Sequence, residues 1–365
     1  MSEARNTFVA AGGGWSGNIG NAFFNLGTLH ALSEAVPGAR IELVSNQAAY
    51  WRMLPIGYRG EPRGSLRYLD HLKPDYIVVQ GSVLTEDFPR VWRQTFERLC
   101  GGGTKVLMIG VGLFDYSERE VSLCRSLLQD YPPYVFVSRD QDTYEHLKDL
   151  AEYAHDGIDS AFFLPDVFAP IPTDLPPYMI MNFDKAPEPT ILVSPGEADA
   201  PTPHSDSTVQ FDFRSSRWTV AFPRTRRKLA RLLGKSFCYF LGPLGLVGTS
   251  QDSAGDLLVI RTDHQINPVM MGRIFRGPNS FAGDIPQCYI NLYAQTELTL
   301  SDRIHAVAVT LAYGKPAMLF SRSNRVRILQ KVGASDVKTR PIVLDLELLE
   351  KEKNAELDFL RAVPF

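Results

Sequence analysis

Over the first 165 residues, short β-branched and aliphatic runs alternate with longer stretches of helical apolar spacing. The runs predict strands at 7–11, 40–44, 75–79, 105–109 and 134–138. The stretches between them, near 19–36, 47–54, 86–99, 118–130 and 140–149, predict helices. Pro37-Gly38 punctuates the first helix, and Gly101-Gly102-Gly103 separates the third from the strand that follows. This alternation argues for an α/β fold with a parallel sheet covered by helices on both faces.

The rhythm breaks at LPDVFAPIPTDLPP, whose five prolines mark an inter-domain linker. A second alternation follows, with strands expected near 178–182, 236–240, 256–260, 297–300 and 316–320. Residues 184–215 are polar and proline-bearing and read as a long loop or a mobile flap. In the charged tail 344–363, Leu346, Leu349, Leu357 and Leu360 keep helical spacing and predict a closing helix. The expected architecture is two Rossmann-like domains facing a cleft, over 1–168 and 177–340, with 341–365 closing the chain.

Composition narrows the function classes. A chain of 365 residues, 44% hydrophobic and 22% charged, is an ordinary globular protein with apolar content for two cores. A net charge of −3 gives no electrostatic reason to expect nucleic acid as a partner. No run approaches the roughly 20 apolar residues of a membrane-spanning helix, and MSEARNTF lacks a signal peptide's apolar core. Cys100, Cys124, Cys238 and Cys288 fall into no metal-ligand spacing and read as thiols of a reducing compartment, so a cytoplasmic protein without metal or bound cofactor is expected. A homo-oligomer is left open.

Two constellations carry candidate chemistry. The first is GGGWSGNIGN, from Gly12 to Asn21, where Gly12, Gly14 and Gly17 spell G-x-G-x-x-G between a strand and a helix. A dinucleotide site needs an acidic residue at the tip of the second strand, but that strand runs out into Ser45-Asn46-Gln47 and its only carboxylate, Glu42, lies inside it. What remains is a glycine turn offering N–H groups to an anion, or a tight turn with no ligand. The second is SDRIHAVAVTLAYGKPAMLF. Ser301 reads as an N-cap with Asp302 in the first turn, and Ile304, Val307, Ala308 and Leu311 as the buried face. Arg303 and His305 flank that stripe. An arginine there opposes the helix dipole, a cost that a bound anion would offset. A carboxylate partner for Arg303 and a core role for His305 is the plain alternative.

At this point the motifs resemble those of polysaccharide pyruvyl transferases. GNIGN (17–21) is similar to the family's G-N-x-G-D, and DYIVVQGSVLTED (75–87) to its strand and glycine turn. VLMIGVGLFDY (106–116), VFVSRDQDTYEHL (135–147), DGIDSAFFLP (156–165) and the R-x-H helix of 301–320 follow in the family's order. Asn21 stands where the family has Asp, and Gln80 replaces the first glycine of the second loop.

The resemblance implies a GT-B-like fold and transfer of pyruvate from phosphoenolpyruvate to a sugar, as a cyclic ketal in polysaccharide biosynthesis. A trianionic donor calls for cationic clamps, and Arg139 and Arg303 suit that role by position. His305 would serve as general acid or base. His264 reads as a further donor contact or as a surface-loop histidine. Gly14, Trp15, Asn18, Asn21 and Ser82 fall on the acceptor side, where Asn18 and Asn21 could equally cap the helix and Trp15 could equally be core. Arg224, Arg226, Arg227, Lys228 and Arg231 form a basic helix face. It reads first as solvated, and would also suit a lipid-linked oligosaccharide acceptor or peripheral membrane association. Two other readings stand beside this one. One is a nucleotide-sugar glycosyltransferase using Glu297 or Asp302; the other is a non-catalytic carbohydrate-binding protein.

Overall fold

In the computed structural model the described residues are 6–15, 17–45, 66–183, 186, 188–196, 208–222, 251–264, 279–321 and 323–365. The expected helix at 47–54, the strand at 236–240 and the basic stretch from Arg224 to Arg231 lie outside them. In the first half, β1 (Thr7–Ala11), β2 (Arg40–Val44), β3 (Tyr76–Leu84), β4 (Lys105–Leu113), β5 (Val135–Ser138) and β6 (Tyr153–Asp156) form one sheet of order β2-β1-β3-β4-β5-β6. Every pairing in it is parallel. The covering helices are α1 (Gly20–Ala35), α2 (Phe88–Gly101), α3 (Glu118–Asp130) and α4 (Gln141–Leu147). Strand order reverses between β1 and β3, so the crevice beyond their carboxyl ends is where this topology receives ligands.

β3 and β4 outrun their expected ends at 79 and 109. The glycine segments read as turns stay in the sheet, through register shifts at Gln80/Gly81 and after Ile109. Gly81 and Gly110 take φ of 78° and 61°, which only glycine adopts cheaply.

After a short helix α5 (Leu164–Val167), the chain crosses to a second parallel sheet built from β7 (Tyr178–Asn182), β12 (Leu257–Thr262), β14 (Leu298–Ser301) and β15 (Ala317–Leu319). Its order β12-β7-β14-β15 repeats the reversal of the first sheet and places a second crevice at the ends of β7 and β14. Two short strands, β11 (Ser253–Ala254) and β13 (Ser280–Phe281), pair with β12. Within 184–215, expected as a long loop or mobile flap, the described residues are mostly sheet. β8 (Thr190–Pro195), β9 (Thr208–Phe213) and β10 (Ser216–Ala221) form an antiparallel unit. Ile191, Phe211, Trp218 and Val220 are buried with Met179, Leu257 and Leu298 in one core, so the unit roofs a face of the second sheet.

Two helices of this half matter below, α6 (Pro286–Gln295) and α7 (Ile304–Ala312). The closing helix α8 (Leu346–Ala362) is present as expected, N-capped by Asp345. It packs back on the first half, where Phe365 meets Phe8 and Tyr76 edge-on at 5.5 Å.

α1 seals the two halves together. Ala31 and Leu32 share one core with Ile304, Val307 and Leu311 of α7, and Ile19, Ala22 and Phe23 share another with Ile180, Tyr293 and Val309. Its closest approach is at Gly27, where a Cβ would stand 1.7 Å from the Ser160 carbonyl oxygen. That oxygen belongs to backbone and cannot swing aside. Gly27→Ala is therefore expected to lower the unfolding free energy by about 1–3 kcal/mol despite alanine's better helix propensity. Denaturant titration of both proteins checks it; equal midpoints would mean α1 slides without cost.

Candidate active site

The carboxyl ends of the two sheets face one another, and the backbone itself shows it. Ile19 N–H, entering α1, donates to the His264 carbonyl beyond β12 at 2.8 Å. Arg303, just beyond β14, donates from Nη2 to Asn18 Oδ1 at 2.9 Å.

Arg139 follows β5 and is fully buried. Its Nη1 lies 3.0 Å from Asp159 Oδ2, while Nε and Nη2 meet no hydrogen-bond partner among the described residues. Gly112 makes the room, since a Cβ there would stand 2.5 Å from Arg139 Nε. Buried guanidinium donors are costly to leave unpaired, so two of them aimed at one place mark where an anion belongs.

Asp159, also fully buried, caps the turn Ser160–Phe163 through the Ala161 N–H at 3.1 Å. Its Oδ2 is shared with His305 Nε2 at 3.5 Å. Burial works against ionising this carboxyl, yet His305, Arg139 and the Ala161 N–H outweigh it and hold Asp159 well below the usual range. His305 is pushed the other way. Burial lowers it first, Asp159 pulls it up, and Arg139 and Arg325 push it down again, leaving it below an ordinary histidine.

Arg325 is the residue that sequence reading missed. It sits in the 3-10 turn Asn324–Leu329, with Nε 3.3 Å from Ser323 Oγ and its guanidinium 5.0 Å from the centre of the Phe114 ring. Burial, Arg139 and Arg303 pull it down to about 10, so Arg325 is charged at neutral pH and close enough to both arginines to be repelled. Nothing in SRSNRV distinguishes Arg325 from its neighbours; only the fold brings it here.

The R-x-H segment differs locally from its expected form. Ser301 ends β14 instead of capping the helix, and its Oγ accepts the Arg303 N–H at 2.9 Å. The cap position is Arg303, and Asp302 lies outside the helix with its carboxylate accepting the Ala186 N–H. α7 is buried on every side instead of along one stripe, because α1 and the second sheet enclose it.

The loop after β1, expected on the acceptor side, is internally braced. Asn18 Nδ2 donates to Asn21 Oδ1 at 3.0 Å, and Asn21 Nδ2 to the Gly13 carbonyl at 3.4 Å. A Cβ on Gly14, which holds φ at 74°, would stand 3.1 Å from that amide. Trp15 Nε1 donates to Asn25 Oδ1 at 2.7 Å, which fixes its half-buried ring. Ser82 is half-buried within β3. Gln80 is buried, with Nε2 3.4 Å from the Ala11 carbonyl. His264 is buried too, so the surface-loop reading fails.

Glu297 precedes β14 and pairs with Arg214 at 2.6 Å, at the end of the strand away from the crevice. Among the described residues, no group of three or more His, Cys, Asp or Glu is placed to hold a metal ion, and no helix is long and apolar enough to cross a membrane.

The polysaccharide pyruvyl transferase family model matches residues 18–324, which spans α1, every strand of both sheets except β1, and the R-x-H helix. The chain belongs to that family. This pyruvyl transferase relative is accordingly a transferase, and its GT-B-like fold is shared with solved sugar-nucleotide enzymes. S. aureus MnaA, in its co-structure with UDP, superposes with a TM-score of 0.52 at 11% identity, covering 98% of this chain and 91% of the other. A Listeria monocytogenes protein assigned as a UDP-N-acetylglucosamine 2-epimerase gives 0.51 at 11% identity, with coverage of 99% and 91%. At that identity the likeness to the transferase is one of fold. No curated protein matches it.

Proposed function

We propose that the protein moves the pyruvate of phosphoenolpyruvate onto a sugar or glycan as a cyclic ketal and releases phosphate. The observation that carries this is Arg139 and Arg325 beside His305, with Arg303 next to Arg325 and two buried Arg139 donors left for a ligand. Such a cluster repels itself unless a multiply charged anion joins it, and phosphoenolpyruvate brings a phosphate and a carboxylate on one small molecule.

The chemistry balances with residues in place. Two acceptor hydroxyls bond to the enol carbon as its C–O bond to phosphate breaks. One hydroxyl proton ends on the methylene, making a methyl group, and the other leaves with phosphate. His305, backed by Asp159, is the group that carries a proton between hydroxyl and carbon. The arginines stabilise the departing phosphate. The acceptor lies along Gly14 to Asn21 and Ser82, across the crevice from α7.

The test starts with binding. Phosphoenolpyruvate at about a hundred times its Kd stabilises the fold by about 2.7 kcal/mol, read as a rise in melting temperature. Arg303→Ala should erase that rise. Incubation with a panel of glycosides should release phosphate and add one pyruvyl mass to an acceptor. Stabilisation by UDP or GDP with none by phosphoenolpyruvate would sink the reading in favour of nucleotide-sugar transfer.

A further inference from the structure

His264 sits at the end of a chain of hydrogen bonds anchored by an amide of fixed orientation. It begins at Asn182, the last residue of β7. Its Nδ2 lies 2.9 Å from the Thr262 carbonyl oxygen, which can only accept, so the amide orientation is settled. The same Nδ2 lies 3.1 Å from Thr262 Oγ1 and donates its second proton there. Asn182 Oδ1, on the other side, accepts from Ser301 Oγ at 3.1 Å. Thr262 Oγ1 thus receives a proton from Asn182 and has its own to give. It lies 2.9 Å from the Tyr293 hydroxyl on α6. The Tyr293 hydroxyl stands 2.7 Å from His264 Nε2, so a chain that runs from Asn182 through Thr262 ends with Tyr293 donating there.

With the chain running in that sense, Nε2 of His264 is the accepting nitrogen. The imidazole is neutral, because burial, then Arg303 and His305, hold it well below its ordinary range. A neutral imidazole that accepts at Nε2 carries its proton at Nδ1. The ring has little freedom to turn, boxed edge-on by Phe23 at 5.5 Å, Tyr289 at 5.8 Å and Tyr293 at 5.7 Å. Nδ1 opens onto the N-terminus of α1, where Gly20 leaves a gap. A Cβ there would stand 3.3 Å from His264 Nδ1, 3.2 Å from His305 Nδ1 and 3.2 Å from Asn18 Oδ1.

We propose that His264 is a fixed hydrogen-bond donor to the substrate, its Nδ1–H set by the Asn182–Thr262–Tyr293 chain and aimed into the crevice beside His305. This rests on the reading of that crevice as the reacting site. The two histidines divide the work. His305, with Asp159 behind Nε2, moves the proton. His264 does not titrate; it supplies a donor that is oriented before the reaction starts, toward oxygen on which charge changes. Tyr293, Thr262 and Asn182 are positioning residues that act through it. A preorganised donor of this kind is worth about 10²–10³ in kcat.

The first measurement needs no substrate. Long-range 1H–15N spectra of the ligand-free protein at pH 7.5 should show His264 protonated at Nδ1 and bare at Nε2, with its signals assigned by their loss in His264→Asn. Protonation at Nε2 would overturn the proposal, and this outcome is independent of whether phosphoenolpyruvate is the donor. Tyr293→Phe removes one hydroxyl, keeps the ring contacts and should release the tautomer. Its kcat should fall about tenfold to a hundredfold with the KM for phosphoenolpyruvate nearly unchanged, a split that loss of packing alone would not give.

A pair of replacements separates donor from scaffold. Asparagine places an amide N–H near the Nδ1 position, and glutamine places one near Nε2. His264→Asn should retain at least ten times the turnover of His264→Gln. If glutamine retains more, His264 serves only the Tyr293 network and the proposal fails. If neither variant folds, the shift of the His264 signals in Tyr293→Phe assigns them in the wild-type spectrum, which still decides.

Discussion

An Arg139→Met variant is expected to lose about 3–5 kcal/mol of unfolding free energy, and with it all stabilisation by phosphoenolpyruvate. Methionine follows the arginine stem past Gly112, so packing survives. The charge does not. Asp159 has no exposure, and its partners besides Arg139 are His305 at 3.5 Å and the Ala161 N–H at 3.1 Å. Removing the guanidinium leaves that carboxylate buried with half its support, which is the source of the cost.

The same loss changes His305. Arg139 pushes the imidazole toward its neutral form and Asp159 pulls it toward the charged one, so without Arg139 its pKa rises in the folded state. The folded variant therefore takes up the His305 proton earlier than the folded wild type as pH falls, and gains stability relative to it over that interval. The deficit of Arg139→Met should therefore be smaller at pH 5.5 than at pH 8. Adding Asp159→Asn should recover most of the stability, because the orphaned charge is gone, and none of the donor binding. Denaturant titrations at two pH values, with thermal shifts for binding, read both halves. Full donor stabilisation in Arg139→Met would remove Arg139 from the site.

How far the sequence went depends on which physical signal each part carries. Strands β1, β2 and β7 are legible to the residue, since a short aliphatic run in a parallel sheet has no competing explanation. β3 and β4 are half legible. Gly81 and Gly110 look like turn residues, but they absorb bulges within strands that continue to Leu84 and Leu113.

The β9–β10 hairpin was invisible for a different reason. Its turn, Arg214-Ser215, takes φ of 50° and 55°, a conformation that asparagine and glycine usually announce. Proline, serine and aspartate in the flanking residues then hid the alternation of Phe211 and Phe213 with Trp218 and Val220.

The site divides along similar lines. Arg139, Arg303, His264 and His305 each sit just past a strand end, where an α/β topology concentrates ligand contacts, so position alone points to them. Asp159 lies in a quoted motif but shows its role only as the carboxylate between Arg139 and His305. Arg325 and Tyr293 stand outside every motif, and only contacts distant in sequence bring them to the site.

The acid end of this arrangement is braced from the closing helix, and the brace should make the wild-type protein less stable in alkali. Glu356 of α8 is fully buried, with Oε2 accepting the Ile158 N–H at 2.9 Å, one residue before Asp159. Burial pushes its carboxyl up to about 8, against the opposing pull of that N–H and Lys331. An unfolded glutamate ionises near 4.3.

Between those values the unfolded chain has released a proton that the folded one keeps. Stability therefore falls as pH rises, by about 1.4 kcal/mol per pH unit, and levels off above 8. Below about 6.5 the half-buried His155 and the buried His264 and His305 slope the other way, since unfolding lets them charge. The Glu356 slope is consequently cleanest between pH 7 and 8. Glu356→Gln keeps an acceptor for Ile158 and cannot ionise. It should flatten the slope and exceed the wild type by on the order of 4 kcal/mol at pH 8.5, as read from urea unfolding. A wild-type stability that stays level from pH 7 to 8.5 would show Glu356 already ionised in the fold. The gain has a functional counterpart: charging Glu356 sets a second carboxylate against the segment that presents Asp159, so donor affinity in the wild type should decline over the same interval and hold steady in the glutamine variant.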